Sequence, residues 1–331
     1  MKPFIAALLS CVAIGTYGQQ PALKLVQTIP LPGVKGRFDH FAIDEKGKRL
    51  FVAALGNDTL EVLDVAEGKR LKSIAGLHKP TGVLYLPGAD QIVVANGGDG
   101  TVKFFDGASY ELTKSIGPLD DADNLRLDPK TGLIYVGYGD GALAIIDVAK
   151  KQLVGDIKLR AHPESFQLEK SGDRIFVNVP GRKQVAVIDR KKRQVIAEWQ
   201  WEKVEANFPM ALDEANHRLI VGGRKPPWLV IANTETGNLK IVHSISGDTD
   251  DLFYDSQRKR IYISCGEGFI DVVVQKDPDT YETLEKIPTG GGARTSFFSA
   301  GLDRFYVALP ERDGHNAGIR IYQPSDVKTL K

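Results

Sequence analysis

Seven copies of one short apolar strand, set at a near-constant interval, constrain this chain more than any other feature. They read Leu50-Phe51-Val52-Ala53, Ile92-Val93-Val94-Ala95, Ile134-Tyr135-Val136-Gly137, Ile175-Phe176-Val177-Asn178, Leu219-Ile220-Val221-Gly222, Ile261-Tyr262-Ile263-Ser264 and Phe305-Tyr306-Val307-Ala308. Successive copies lie 41 to 44 residues apart. An interval of that length holds four short strands and their turns, and one such unit cannot bury its apolar faces alone. Units stacked radially cover one another, which is how propeller blades are built. Regular helical periodicity is absent.

The remaining strands follow from the same alignment. A second recurrent segment begins as Leu60-Glu61-Val62-Leu63-Asp64, with counterparts at 102–106, 143–147, 185–189 and 229–233 and weaker ones at 270–274 and 319–323. Its terminal Asp or Asn suits a turn, since the short side chain accepts from backbone amides two residues on. Polar segments such as Asp44-Glu45-Lys46-Gly47 and Asp213-Glu214-Ala215-Asn216 read as hairpin turns on the opposite face. The seventh repeat has no convincing fourth strand after Tyr322, whereas Leu23–Leu31 resembles the fourth strand at 281–288. The expectation is an all-β chain: a seven-bladed β-propeller with four antiparallel strands per blade. Its ring is closed by the N-terminal strand pairing with the last blade.

The first 18 residues read differently. Lys2, the apolar run from Phe4 to Ile14 and the small residues Thr16 and Gly18 form a secretory signal, cut after Gly18. That leaves 19–331 as the propeller and implies a periplasmic or extracellular location; a lipoprotein anchor through Cys11 is the alternative. No later stretch is apolar enough to span a bilayer as a helix. The chain has 43 basic and 42 acidic residues, and loss of Lys2 makes the mature chain neutral. Neutrality argues against a nucleic-acid partner. The basic runs Arg190-Lys191-Lys192-Arg193 and Arg258-Lys259-Arg260 read as solvated turns. Cys265 is the one cysteine left after the signal, so no intrachain disulfide forms, and its apolar setting suggests a small buried residue. The expected state is a monomer.

The segment from Leu50-Phe51-Val52-Ala53 through Asn57-Asp58-Thr59-Leu60-Glu61-Val62-Leu63-Asp64 resembles the YVTN repeat of secreted bacterial propellers, the YncE-like family of the wider WD40-like superfamily. The resemblance covers essentially the whole mature chain. It implies a propeller fold and leaves function open, because members include binding proteins, cell-surface proteins and a few enzymes. No repeat carries the Gly-His and Trp-Asp pair of WD40 repeats.

In a propeller, the loops leading into the innermost strands share a face with the loops that follow the second strands. Asp39, Asp123, Glu164, Asp250 and Arg294 hold one position in five repeats, and His40, Asn124, Ser165, Asp251 and Thr295 hold the next. Symmetry brings these side chains to the mouth of a central channel. The expected ligand-binding set is Arg37, Asp39, His40, Asp123, Asn124, Glu164, Asn207, Asp250, Asp251 and Arg294. Carboxylates crowded at one mouth repel unless a cation or a proton intervenes. Asp39, His40, Asp123, Glu164 and Asp250 are therefore candidate ligands of a divalent cation, Ca²⁺ or Mg²⁺ by their oxygens, Zn²⁺ or Mn²⁺ if His40 joins. The competing reading has Asp and Asn capping loop amides, with Arg37 and Arg294 neutralising Asp39 and Asp250. His162 reads as a loop histidine.

Two functions remain. One is an exported propeller that binds a small molecule, a glycan or a protein at the mouth. The other is a metal-dependent lyase or lactonase using the same residues, with His40 or Glu164 as general base. No Gly-x-Ser-x-Gly nucleophile motif is present.

Overall fold

The computed structural model describes residues 20–312 and 314–326, so the expected signal, 1–18, lies outside the described residues. Seven separate four-stranded antiparallel sheets make up the chain. The first blade runs Phe41–Asp44, Arg49–Ala54, Thr59–Asp64 and Lys69–Ile74, and these strands are neighbours in that order. Blades two to six repeat the pattern along the chain.

Burial explains the composition of each strand. In Arg49–Ala54 every residue after Arg49 is buried, while Lys69–Ile74 is exposed at all positions but Ile74. A strand covered on both faces reads as a continuous apolar run rather than an alternating one. Here the cover comes from neighbouring blades. The core is accordingly divided into seven clusters, one between each pair of adjacent blades. Phe51, Leu60 and Val62 of the first blade, for example, meet Val83, Ile92 and Val94 of the second.

The seam closes as expected. Leu23–Leu31 pairs antiparallel with Ala317–Pro324, from Leu23 opposite Pro324 to Leu31 opposite Ala317. The seventh blade thus takes three strands from the C-terminal end and its fourth from the N-terminal end. Ile29 and Leu31 are fully buried there, packed in one cluster with Leu50 and Val52 of the first blade.

The turn residues also behave as anticipated. Asp64 Oδ1 accepts from the amides of Ala66 and Glu67, both at 2.9 Å, and Asp106 does the same for Ala108 and Ser109. Cys265 is fully buried, and burial pushes its thiol well above the ordinary range. The basic runs depart from expectation. Arg190 is 8% exposed, pairs with Asp128 of the preceding blade at 3.0 Å and donates to the Glu169 carbonyl. Arg260 is buried and donates to the Ser325 carbonyl, while Arg258 pairs with Asp303 of the seventh blade. Each run abuts a neighbouring blade, so part of it links blades instead of facing water. Among the described residues no helix is long and apolar enough to cross a membrane.

Candidate functional site

One backbone hydrogen bond recurs where the first, third and fourth blades meet the channel. The amides of Asp39, Asp123 and Glu164 donate to the carbonyls of Ala53, Gly137 and Asn178, at 2.8, 2.9 and 3.0 Å. The next residues, His40, Asn124 and Ser165, accept in return from those same three residues. The chain therefore holds equivalent stations in different blades by identical pairing, which is why a count along the repeat aligns them.

Counting from the anchor strands, 39 stands to 53 as 81 to 95, 123 to 137, 164 to 178, 208 to 222, 250 to 264 and 294 to 308. Six of those seven stations, Asp39, Thr81, Asp123, Glu164, Phe208 and Asp250, line one cavity of about 250 Å³ at the channel mouth. Arg37, His40, Asp121, Asn124, His162, Ser165 and Arg224 complete it. Seven of the ten expected ligand-binding residues are thus gathered: Arg37, Asp39, His40, Asp123, Asn124, Glu164 and Asp250.

The other three are placed elsewhere. Asn207 is a correction: it is fully buried, and its Nδ2 donates to Asn178 Oδ1 at 2.8 Å and to the Gln184 carbonyl at 3.1 Å. It precedes the station by one residue, and a bulge between Asn207 and Met210 turns it into the blade interface. Asp251 sits one layer deeper, accepting from the Ser296 amide at 2.8 Å and lining the inner channel. Arg294 stands behind Asp250, with Nε 3.1 Å from Asp250 Oδ2 and Nη1 2.9 Å from Asp248.

Thr81, Asp121, Phe208 and Arg224 were not foreseen, and His162 was read only as a loop residue. Thr81 and Phe208 occupy the repeated station, but a search for charged side chains passes over a hydroxyl and an aromatic ring. Arg224 hydrogen-bonds Asp250 Oδ1 through Nη2 and lies 3.9 Å above the Phe208 ring, a close cation–π contact. His162 Nδ1 lies 2.7 Å from the Gly139 carbonyl, so it serves its loop while bordering the cavity.

Two arginines anticipated as neutralisers are in place. Arg37 lies 3.6 Å from Asp39, and Arg294 with Arg224 clamps Asp250. Even so, burial raises Asp250, because the clamp offsets only part of the lost hydration. Burial pushes Asp39 up to about 7, with Asp123 and Asp250 adding to the rise and His40 and Arg37 opposing it. Glu164 is pushed furthest, to about 9, by burial and then by the charges of Asp123 and Asp250. Burial alone would lower His40, but Asp251, with Asp39 and Asp123 behind it, lifts the imidazole to about 10.

Both shifts favour the protonated forms of Glu164 and His40. A raised pKa favours donating a proton over the general-base role expected of either from sequence. Asn124 sits against His40. Its Oδ1 accepts from Arg126 Nη1 at 3.1 Å, which turns its Nδ2 toward His40 Nε2 at 2.9 Å. Which of the two atoms donates depends on the imidazole tautomer. The metal expectation is corrected as well. Among the described residues no three His, Cys, Asp or Glu side chains gather closely enough to hold a metal ion. Asp39, His40, Asp123, Glu164 and Asp250 ring the mouth without converging, because Asp250 is drawn to arginines and His40 to Asp251.

No family model matches the chain. An uncharacterized WD repeat-containing protein of Synechocystis sp. is 32% identical over 103 residues, 31% of this chain and 27% of that protein. The chain thus spans little more than a quarter of the curated relative's length. Among solved structures, hydrazine synthase of Kuenenia stuttgartiensis superposes with a TM-score of 0.76 at 16% identity, over 94% of this chain and 100% of that one. A chain of the mitotic checkpoint complex superposes with a TM-score of 0.76 at 13% identity, over 98% and 99%. At such identities the likeness is one of fold: this chain is a WD-repeat-like seven-bladed β-propeller.

Proposed function

We propose that the chain is an exported propeller of the YVTN/YncE-like kind whose channel mouth binds a small polar molecule carrying a positive charge. One observation carries this reading. Glu164 lines the cavity, yet its carboxyl has no ion-pair or hydrogen-bond partner among the described residues, and the like charges of Asp123 and Asp250 outweigh the opposing charge of Arg224. In the free protein a proton relieves that repulsion. A ligand ammonium group would take the proton's place, pairing with Glu164 and Asp123, while the Phe208 ring offers an apolar wall. The size of the cavity points the same way. About 250 Å³ is at or below the lower end of ordinary ligand pockets, which run from about 300 Å³ upward, and suits a small molecule better than a glycan or a protein surface.

The test is calorimetry with propylammonium, using propanol as its uncharged counterpart, on wild type, Glu164→Gln and the opposite-face variant Asp147→Asn. Propylammonium should bind wild type and Asp147→Asn, releasing up to about one proton per ligand as Glu164 ionises. The Glu164→Gln variant should bind it about tenfold more weakly and release none. Equal binding of propanol, or unchanged binding by Glu164→Gln, would overturn the reading. A melting shift with Ca²⁺, Mg²⁺, Mn²⁺ or Zn²⁺ that Glu164→Gln abolishes would return the mouth to a metal.

A further inference from the structure

Below the mouth lies a second cavity of about 370 Å³, lined by the innermost strands. It shares only His40 and Asn124 with the first, so these two residues, with Asp251, form the layer between them. Phe41, Phe253, Phe297 and Tyr85 are among its walls, and one arginine, Arg126, enters it.

The position of Arg126 is unusual. Its Nη1 donates to Asn124 Oδ1 at 3.1 Å and to the Leu125 carbonyl at 2.8 Å, and its guanidinium lies 5.6 Å from the Phe166 ring. It forms no ion pair among the described residues, whereas Arg49, Arg174, Arg190, Arg224 and Arg294 each have a carboxylate within 4.0 Å. The edge formed by Nε and Nη2 donates to no protein acceptor, and neither atom is closed off from the cavity. That edge is the one whose two parallel N–H groups match a carboxylate. Burial pulls the Arg126 pKa down, and Asp251 and Asp123 offset this only in part, so the guanidinium lacks a full counter-charge.

We propose that Arg126 marks a second binding site, inside the channel, for a small organic monocarboxylate with an aromatic or otherwise apolar body. The carboxylate pairs with the free Nε–Nη2 edge, and the body lies against Phe253 and Phe297. A phosphate fits less well. It offers a second charge close to the carboxylate of Asp251, and it leaves the aromatic walls without a partner.

The experiment uses benzoate, with benzamide as the uncharged isostere and inorganic phosphate as the competing anion, on the full chain. Calorimetry on wild type should show benzoate binding, with benzamide and phosphate each weaker by about tenfold or more. Arg126→Gln should lose benzoate binding by at least about that factor. Arg126→Lys, which keeps the charge but not the fork, should fall between. The opposite-face variant Asp147→Asn should match wild type. Equal affinity for benzamide, tighter binding of phosphate, or benzoate binding unchanged in both Arg126 variants would overturn the proposal. If the Arg126 variants fail to fold, wild-type crystals soaked in 4-iodobenzoate decide it. An anomalous iodine peak in the inner cavity beside Phe253 and Phe297 supports the site, and no peak, or one at the mouth, refutes it.

Discussion

His40 Nδ1 lies 3.4 Å from Asp251 Oδ1, joining the first blade to the sixth across the channel. The pair forms the layer between the mouth and the inner cavity, and Asp251 is itself fixed by the Ser296 amide of the seventh blade. Asp251 is thus a local carboxylate whose charge sets the protonation of the mouth's histidine. Neither residue is close to the other in sequence, so the coupling exists only in the closed ring.

Removing that carboxylate should release the histidine. In Asp251→Asn the His40 pKa is expected to drop from about 10 toward its ordinary value, because the largest influence raising it is gone while burial still lowers it. Histidine Cε1–H chemical shifts followed against pH give the measurement. A titration that stays near 10 would mean Asp39 and Asp123 suffice without Asp251.

Stability should carry the signature of the mouth's raised carboxyls. Glu164 moves from an ordinary 4.5 to about 9 on folding, and Asp39 from 3.8 to about 7. A group whose folded pKa is raised contributes stability that is fully present below its unfolded pKa and lost as pH rises through the folded one. For Glu164 that window runs from about 4.5 to 9, for Asp39 from about 3.8 to 7. His40, raised from 6.5 to about 10, acts in the same sense at higher pH. Glu164→Gln removes one of these contributions. Its stability relative to wild type should therefore grow between pH 4.5 and 9, to on the order of 1–3 kcal/mol at the upper end. Urea unfolding at several pH values measures the difference, and a flat or shrinking one would contradict the assignment.

The seam offers a test of closure. Deleting residues 20–31 removes the fourth strand of the seventh blade and uncovers Ala317–Pro324 together with part of the cluster around Leu50 and Val52. Aggregation or loss of a cooperative melt is expected. The milder Ile29→Ala should cost about 2–5 kcal/mol, since that side chain is fully buried. A deletion variant that remains monomeric and melts like wild type would show that the ring holds without the strand.

What could be read from residues alone follows from the repeat. A period near 42 with two fixed anchor strands specifies blade number, strand order and the face on which each loop lies. The missing fourth strand after Tyr322 likewise identified Leu23–Leu31 as the closing strand. The stations of Asp39, Asp123, Glu164 and Asp250 were legible for the same reason, because equivalent backbone pairing places equivalent residues at the mouth. The count was sound even where the choice failed: in the fifth blade the station belongs to Phe208, and preferring the polar neighbour selected Asn207, which a bulge turns into the blade interface. A repeat is one-dimensional information, however, and it says nothing about which charges meet across the channel. Tertiary structure decided that Arg224 and Arg294 hold Asp250, that Asp251 charges His40, and that Arg126 and Glu164 are left without carboxylate and cationic partners respectively. Those outcomes depend on distances of a few ångströms between side chains from different blades, and Coulomb and desolvation energies change steeply over that range.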